Sequence, residues 1–283
     1  MGTSRARRTG RGLFRRASGM GIPSRGSALR GVSIELREPM TKMKASDRRA
    51  VDISYYQSAR GAGLLWVVGP LWYLAAEALS ASAFRGYSYA TNYISDLGVP
   101  DVATFQGRDL NSPLNAVMNA GFIGQALLFL IGLAMLVPRL PRTWGASAFV
   151  TFGVLHAAGF VLVALVSGSE ANAVTGLGIW HGVGAVAAIA CGNLMAIVSG
   201  WGMPTSRRLR WAGALLGALG FLSGVLLLSH FILPDGIWER GAVYTFMLWE
   251  LLAGSALLAG KHSQIGSGSH VNTAPDKSST ARS

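Results

Sequence analysis

Ionisable and polar side chains inside long apolar stretches are rare enough to be examined first, because each is costly to place in lipid. In this chain they are Glu77, His156, His181, His230, Asp235, Glu239, Arg240 and Glu250, together with the amides Asn115 and Asn119. Asn115 and Asn119 are four apart and share one helical face; Glu239 and Glu250 are eleven apart, about three turns, and share another. A carboxylate at mid-membrane depth, as expected for Glu250, is best held as a neutral acid, either hydrogen-bonded (His156 is at similar depth) or relaying a proton. Three histidines with a nearby carboxylate could also ligate Zn²⁺ and activate water for hydrolysis. His156, His181 and His230 lie on three different helices, however, and no HExxH or HxxxH spacing joins any two of them.

The elements that must position these residues are membrane spans. Half of the 283 residues are apolar and 13% are charged, against roughly 25% charged in an ordinary soluble protein. Six stretches are long enough to cross a hydrocarbon core: about 61–82, 114–137, 146–166, 179–200, 211–233 and 238–260. Strict alternation is absent, which argues against a membrane β-barrel. The fold class is therefore all-α, a polytopic six-helix bundle. Residues 1–58 read as a disordered basic arm, 59–260 as the membrane domain and 261–283 as a disordered polar tail. Met1, Met40 and Met43 are all candidate starts.

Orientation follows from the basic residues. Of 25 Lys and Arg, 22 fall in the first 60 residues, the 138–145 and 201–210 connections and the C-terminal tail; only Arg85, Arg108 and Arg240 fall on the other side. Both termini are thus expected in the cytoplasm, with the protein in a bacterial cytoplasmic (inner) membrane. The net charge of +12 is accounted for by this asymmetry and by contact with anionic lipid, so nucleic acid is not an expected partner. The long connection of about 30 residues, 83–113, would then lie outside. A connection of that length is usually functional or partly structured. It brings Asn92, Ser95, Asp96, Asp101, Arg108 and Asp109 to the face where most of the costly residues gather.

Three readings of that polar region remain open. It holds the loop over the bundle, or it binds a lipid headgroup or other small ligand from the outer leaflet, or it is a metal-dependent hydrolase acting on lipid. No cofactor is expected except zinc under the last reading. In each case Asp96 is expected to meet the Glu239–Arg240 pair, because a buried charge needs a partner. Gly213, Gly217, Gly220 and Gly224 form a stripe that serves helix packing within the chain or, as the alternative, a homodimer. The single cysteine, Cys191, reads as a small packing residue.

The segments Tyr87–Pro100 (YSYATNYISDLGVP), Ser112-Pro113-Leu114-Asn115 and Gly236–Trp249 (GIWERGAVYTFMLW) resemble the bacterial membrane proteins of the domain-of-unknown-function 998 family. The similarity runs from about residue 60 to 258 and implies a six-helix frame and a membrane location, with no activity attached. A more distant similarity is to the membrane hydrolases of the ceramidase and progestin-receptor group, which pair Ser, Asp and His at a zinc site. This chain departs from them in having six spans instead of seven and no paired final histidines.

Overall fold

In lipid every backbone N–H and C=O must be satisfied within the protein, which leaves an apolar run little choice but to be helical. The computed structural model describes residues 45–230 and 234–260, those up to 56 as backbone alone. Seven α-helices occur among them: α1 (Ala45–Ala83), α2 (Asn115–Leu136), α3 (Trp144–Leu165), the short α4 (Glu170–Val174), α5 (Gly178–Gly202), α6 (Arg207–Ser229) and α7 (Asp235–Ala259). All except α4 are long and apolar enough to cross a bilayer. The protein is a multi-pass membrane protein.

The expected spans agree with these helices to within a few residues at most ends, with two instructive differences. Helix α1 begins at Ala45, inside the segment expected to be a disordered arm; the remainder of that arm and the tail from residue 261 lie outside the described residues. Helix α6 begins at Arg207 and takes in three arginines expected in a connection. The reason is local: Ser206 accepts a hydrogen bond from Leu209 N–H at 3.2 Å and so fixes the N-terminus there. Thr143 and Ser169 cap α3 and α4 in the same way.

Contacts between neighbours run in opposite sequence directions, so the helices are antiparallel. On α1 and α2, Trp66 Nε1 donates to Phe129 O, Trp72 Nε1 to Ala120 O and Ser80 Oγ to Leu114 O. Helices α3 and α5 approach so closely at Gly159 and Gly184 that a Cβ on Gly159 would lie 2.6 Å from the Gly184 carbonyl. The α6 stripe is used in the same manner. A Cβ on Gly213 or Gly217 would meet the carbonyl of Ala196 or Asn193 at 2.6 or 2.5 Å, and one on Gly220 would strike the side chains of Asn193 and Thr245. The stripe therefore faces α5 and α7 of its own chain, and a homodimer through it would have to displace them.

The core is aromatic. Trp66 stacks on Phe129 with centroids 5.4 Å apart and interplanar angle 8°, and Phe149 and Trp249 close around it. Asn193 ties α5 to α7 by donating to Ala242 O at 2.8 Å and accepting from Thr245 Oγ1. Glu250, fully buried on α7, meets Gln125 of α2, whose Nε2 donates to Glu250 Oε2 at 2.6 Å. The partner of Glu250 is thus an amide on α2, whereas sequence depth alone suggests His156. Gly69 makes room for the pair, since a Cβ there would lie 2.7 Å from Gln125 Oε1.

An amide at position 250 can reproduce the pairing with Gln125, whereas an apolar residue at 125 leaves a buried carboxyl alone. Glu250→Gln is expected to retain the thermal stability of the detergent-solubilised protein to within about 1 kcal/mol, and Gln125→Leu to lose about 1–3 kcal/mol. Melting followed by size-exclusion chromatography of both variants checks this.

Candidate functional site

The connection between α1 and α2 is ordered by local pairing and then clamped by the last helix. After α1 the chain turns at Gly86, whose φ of 80° suits glycine. Ser88 and Asn92 bond to each other, with Asn92 N donating to Ser88 O at 2.8 Å and Ser88 N to Asn92 Oδ1 at 3.1 Å. A 3-10 turn at Ser95–Gly98 follows, then a hairpin of β1 (Ala103–Phe105) and β2 (Arg108–Leu110). Its two turn residues, Gln106 and Gly107, both have positive φ (49° and 75°), the twist-matched geometry of a two-residue β-hairpin. The turn places Arg108 directly opposite Phe105.

Arg240, in the second turn of α7, is 7% exposed and makes the densest set of contacts. Its Nη1 donates to the carbonyls of Tyr89 (2.7 Å), Asn92 (2.9 Å) and Gly236 (3.1 Å), and its Nη2 donates to Tyr87 Oη and lies 3.1 Å from Glu77 Oε1. Tyr244 donates to the other oxygen of Glu77 at 2.8 Å. The guanidinium also lies 4.7 Å from the Tyr89 ring centroid. Next to it, Glu239 accepts the backbone N–H of Ile94. Burial holds the Tyr87 phenol above its ordinary range, with Arg240 opposing only in part, so Tyr87 stays neutral and donates a hydrogen bond to Tyr93 O at 3.1 Å. Burial, reinforced by the bond to Asp235, does the same for Tyr93.

Asp96, 2% exposed, is met from another direction. Arg108 Nε donates to Asp96 Oδ2 at 3.0 Å and Nη2 to Oδ1 at 3.3 Å, a two-point contact, while Tyr93 N and Asn92 Nδ2 also donate to it. The Arg108 guanidinium lies 4.1 Å from the Tyr93 ring centroid. The pairings thus differ from those expected: Asp96 takes Arg108, and Arg240 takes Glu77. Arg240 is drawn to the bare carbonyls of the loop, which only a donor-rich cation can satisfy, and this leaves Asp96 to the hairpin.

Beside the Asp96–Arg108 pair is a cavity of about 600 Å³, between the loop on one side and α4 and the start of α5 on the other. Ser95, Asp96, Arg108 and His181 supply its polar wall and Tyr93 and Phe105 part of its apolar one. His181 Nδ1 donates to Val166 O at 2.7 Å, which leaves Nε2 without a hydrogen-bond partner among the described residues. Arg108 Nη1 is in the same position.

The other expected site residues divide between loop-holding and packing. Asn119 Nδ2 donates to Gly98 O at 3.0 Å and Asn115 Nδ2 to Ser112 O at 2.9 Å, so both secure the end of the loop. Asp235 Oδ2 accepts from Tyr93 Oη and pairs with His230 Nδ1, each at 2.7 Å. His156 is fully buried in an aromatic cage of Phe129, Phe160 and Phe246, with Nδ1 2.7 Å from Ala188 O. The three histidines proposed as zinc ligands therefore do not converge, and no three His, Cys, Asp or Glu side chains gather within reach of one ion among the described residues. Each histidine already has a nearer partner on its own part of the bundle. Sequence reasoning named Arg108 in the polar loop but not as the partner of Asp96, and it passed over Tyr87, Tyr93 and Tyr244 as site residues. For Arg108 a signal existed: it is one of three basic residues on a side otherwise stripped of them.

A double-mutant cycle distinguishes the observed pairings from the expected one. Asp96→Asn with Arg108→Gln, and Glu77→Gln with Arg240→Gln, should each depart from additivity by about 0.5–3 kcal/mol in unfolding free energy. Additive behaviour in either cycle would remove that pair.

The segments that make this arrangement are the ones a comparison with known proteins recovers. The family described as Protein of unknown function (DUF998) matches residues 67–256, from within α1 to near the end of α7. No curated protein and no solved structure matches the chain. With two thirds of its length covered, including the clamped loop and the helix that clamps it, the chain belongs to the DUF998 family.

Proposed function

We propose that this protein resides in the bacterial cytoplasmic membrane with both termini in the cytoplasm, and that its loop-side cavity faces outward and binds the polar headgroup of a lipid or another small anionic ligand. The observation that carries the reading is the cavity of about 600 Å³ lined by Arg108, whose Nη1 has no hydrogen-bond partner among the described residues, and by His181, whose Nε2 is left as an acceptor for a headgroup hydroxyl because Nδ1 donates to Val166 O. The volume is that of a typical small-ligand site. Asp96 and the Tyr93 ring fix the Arg108 guanidinium in position, so little freedom is lost when its remaining edge takes an oxyanion. The amino end of α5 adds the positive end of a helix dipole to the same wall. The orientation rests on the placement of 22 of 25 basic residues on the opposite side.

A second reading has the polar residues hold the loop and do nothing more. The contacts of Arg240 favour it, since that side chain does not line the cavity and all its partners are loop or helix. The two readings assign different jobs to the two arginines and can be separated.

Native mass spectrometry of the full chain, purified in mild detergent with dioleoyl phosphatidylglycerol, should show one bound lipid. Arg108→Lys, which keeps the charge beside Asp96 and loses the fork, should reduce its occupancy about tenfold while the variant still elutes as a folded species on size-exclusion chromatography. A chain without bound lipid, in which Arg108→Lys changes nothing, would leave the holding role alone. For the orientation, a reporter fused after Lys261 should be active only in the cytoplasm, and activity on the other side would reverse the assignment.

A further inference from the structure

Helices α5 and α6 are pressed together by glycine at one level and part at another. At Gly213 and Gly217 the α6 backbone touches that of α5. Nearer the loop, where α6 carries Phe221, Val225 and Leu228, the two helices leave a groove of about 300 Å³ walled almost wholly by apolar side chains. Leu222, Val225 and Leu228 of α6 and Val186 of α5 are half or more exposed, so this flank of the bundle is among those turned to lipid. The α5 wall runs from Gly182 to Ala190, about 12 Å of helix at 1.5 Å per residue.

Gly182 belongs to two walls at once. It lines the apolar groove and it also lines the polar cavity beside Arg108 and His181. A Cβ built on Gly182 meets no atom within 4 Å, so no side chain stands over the backbone where the two walls meet. A small void of about 30 Å³ lies between them, sharing Ser95 with the cavity and Ala185 and Ile189 with the groove. A polar chamber next to an apolar trough on a lipid-facing flank has the shape of one amphipathic molecule.

We infer that the ligand is a membrane phospholipid bound across this junction, with one acyl chain in the α5–α6 groove, its ester region at Gly182, its phosphate on Arg108 and a headgroup hydroxyl donating to His181 Nε2. This rests on the headgroup reading above and adds to it the class of ligand and the route, which is sideways from the bilayer between α5 and α6. An apolar chain gains little merely by leaving lipid for an apolar trough. Selection therefore comes from the headgroup, and the groove contributes shape and register.

The test uses the full chain with dioleoyl phosphatidylglycerol and native mass spectrometry, in wild type, Gly182→Trp, Val186→Trp, Arg108→Lys and, as a lipid-facing control outside the groove, Leu215→Trp. The inference expects one lipid per chain in wild type and in Leu215→Trp, and at least a tenfold lower occupancy in each of the other three. If Arg108→Lys loses lipid while Gly182→Trp and Val186→Trp keep it, the chain is not in the groove, and the headgroup reading survives without this inference. If the groove variants lose lipid and Arg108→Lys keeps it, no single lipid bridges the two spaces and the headgroup reading fails. A chain dimer abolished by the two groove variants, with no lipid in any sample, would assign the groove to a second copy and overturn both.

Discussion

A guanidinium buried among helices at the end of a membrane bundle is a demanding object, because it carries five donors and a charge and cannot shed either. Arg240 meets most of this demand through its two Nη groups, with three backbone carbonyls, a phenol and a carboxylate, while its Nε has no hydrogen-bond partner among the described residues. Two of the carbonyls belong to the loop, at Tyr89 and Asn92, and the carboxylate belongs to α1. One side chain thus joins the first helix, the long connection and the last helix. Removing it would leave Glu77 buried without its counter-charge, and loss of one partner from a buried pair commonly costs about 3–5 kcal/mol.

The cavity inherits its shape from that junction. With Tyr89 and Asn92 held by Arg240 and the Ile94 N–H held by Glu239, the following 3-10 turn starts from a fixed point. Ser112 and Asn119 then secure its far side by bonding to Leu97 O and Gly98 O. Asp96 is carried on this turn, and Arg108 is brought to it by a hairpin whose reversal depends on Gln106 and Gly107. The cavity wall is therefore a chain of backbone constraints that ends in one charged pair, and the polar atoms that line it are positioned by the chain itself.

The membrane helices were legible in the sequence because hydropathy and length are additive along the chain, and a helix in lipid needs only its own backbone to be satisfied. The polar residues were legible as a group for a related reason: Glu77, Glu239 and Arg240 are conspicuous in apolar surroundings, and the structure brings all three to the loop. Their pairing was not legible. Asp96 and Arg240 had matching depth and opposite charge, but the choice between Arg108 and Arg240 is made by the carbonyls of Tyr89 and Asn92, which any sequence would supply. The same holds for Glu250, whose neutral partner Gln125 carries no charge to advertise it. His156 shows the limit from the other side, since two of the three phenylalanines around it, Phe129 of α2 and Phe246 of α7, come from distant parts of the chain.

The separation of Glu77 from Arg240 has a consequence for how the protein is made. The two residues are more than 160 positions apart, on the first and last membrane helices. At a synthesis rate of about 5–20 residues per second, Arg240 leaves the ribosome roughly 8–30 s after Glu77. Throughout that interval five-sixths of the bundle can be threaded into the bilayer while the loop has no clamp and the α1 carboxyl has no cation. The insertion machinery, or the half-built bundle itself, must shelter a polar group for tens of seconds. Quality control that samples unpaired charge in the membrane would read this chain as unfinished until its final helix enters.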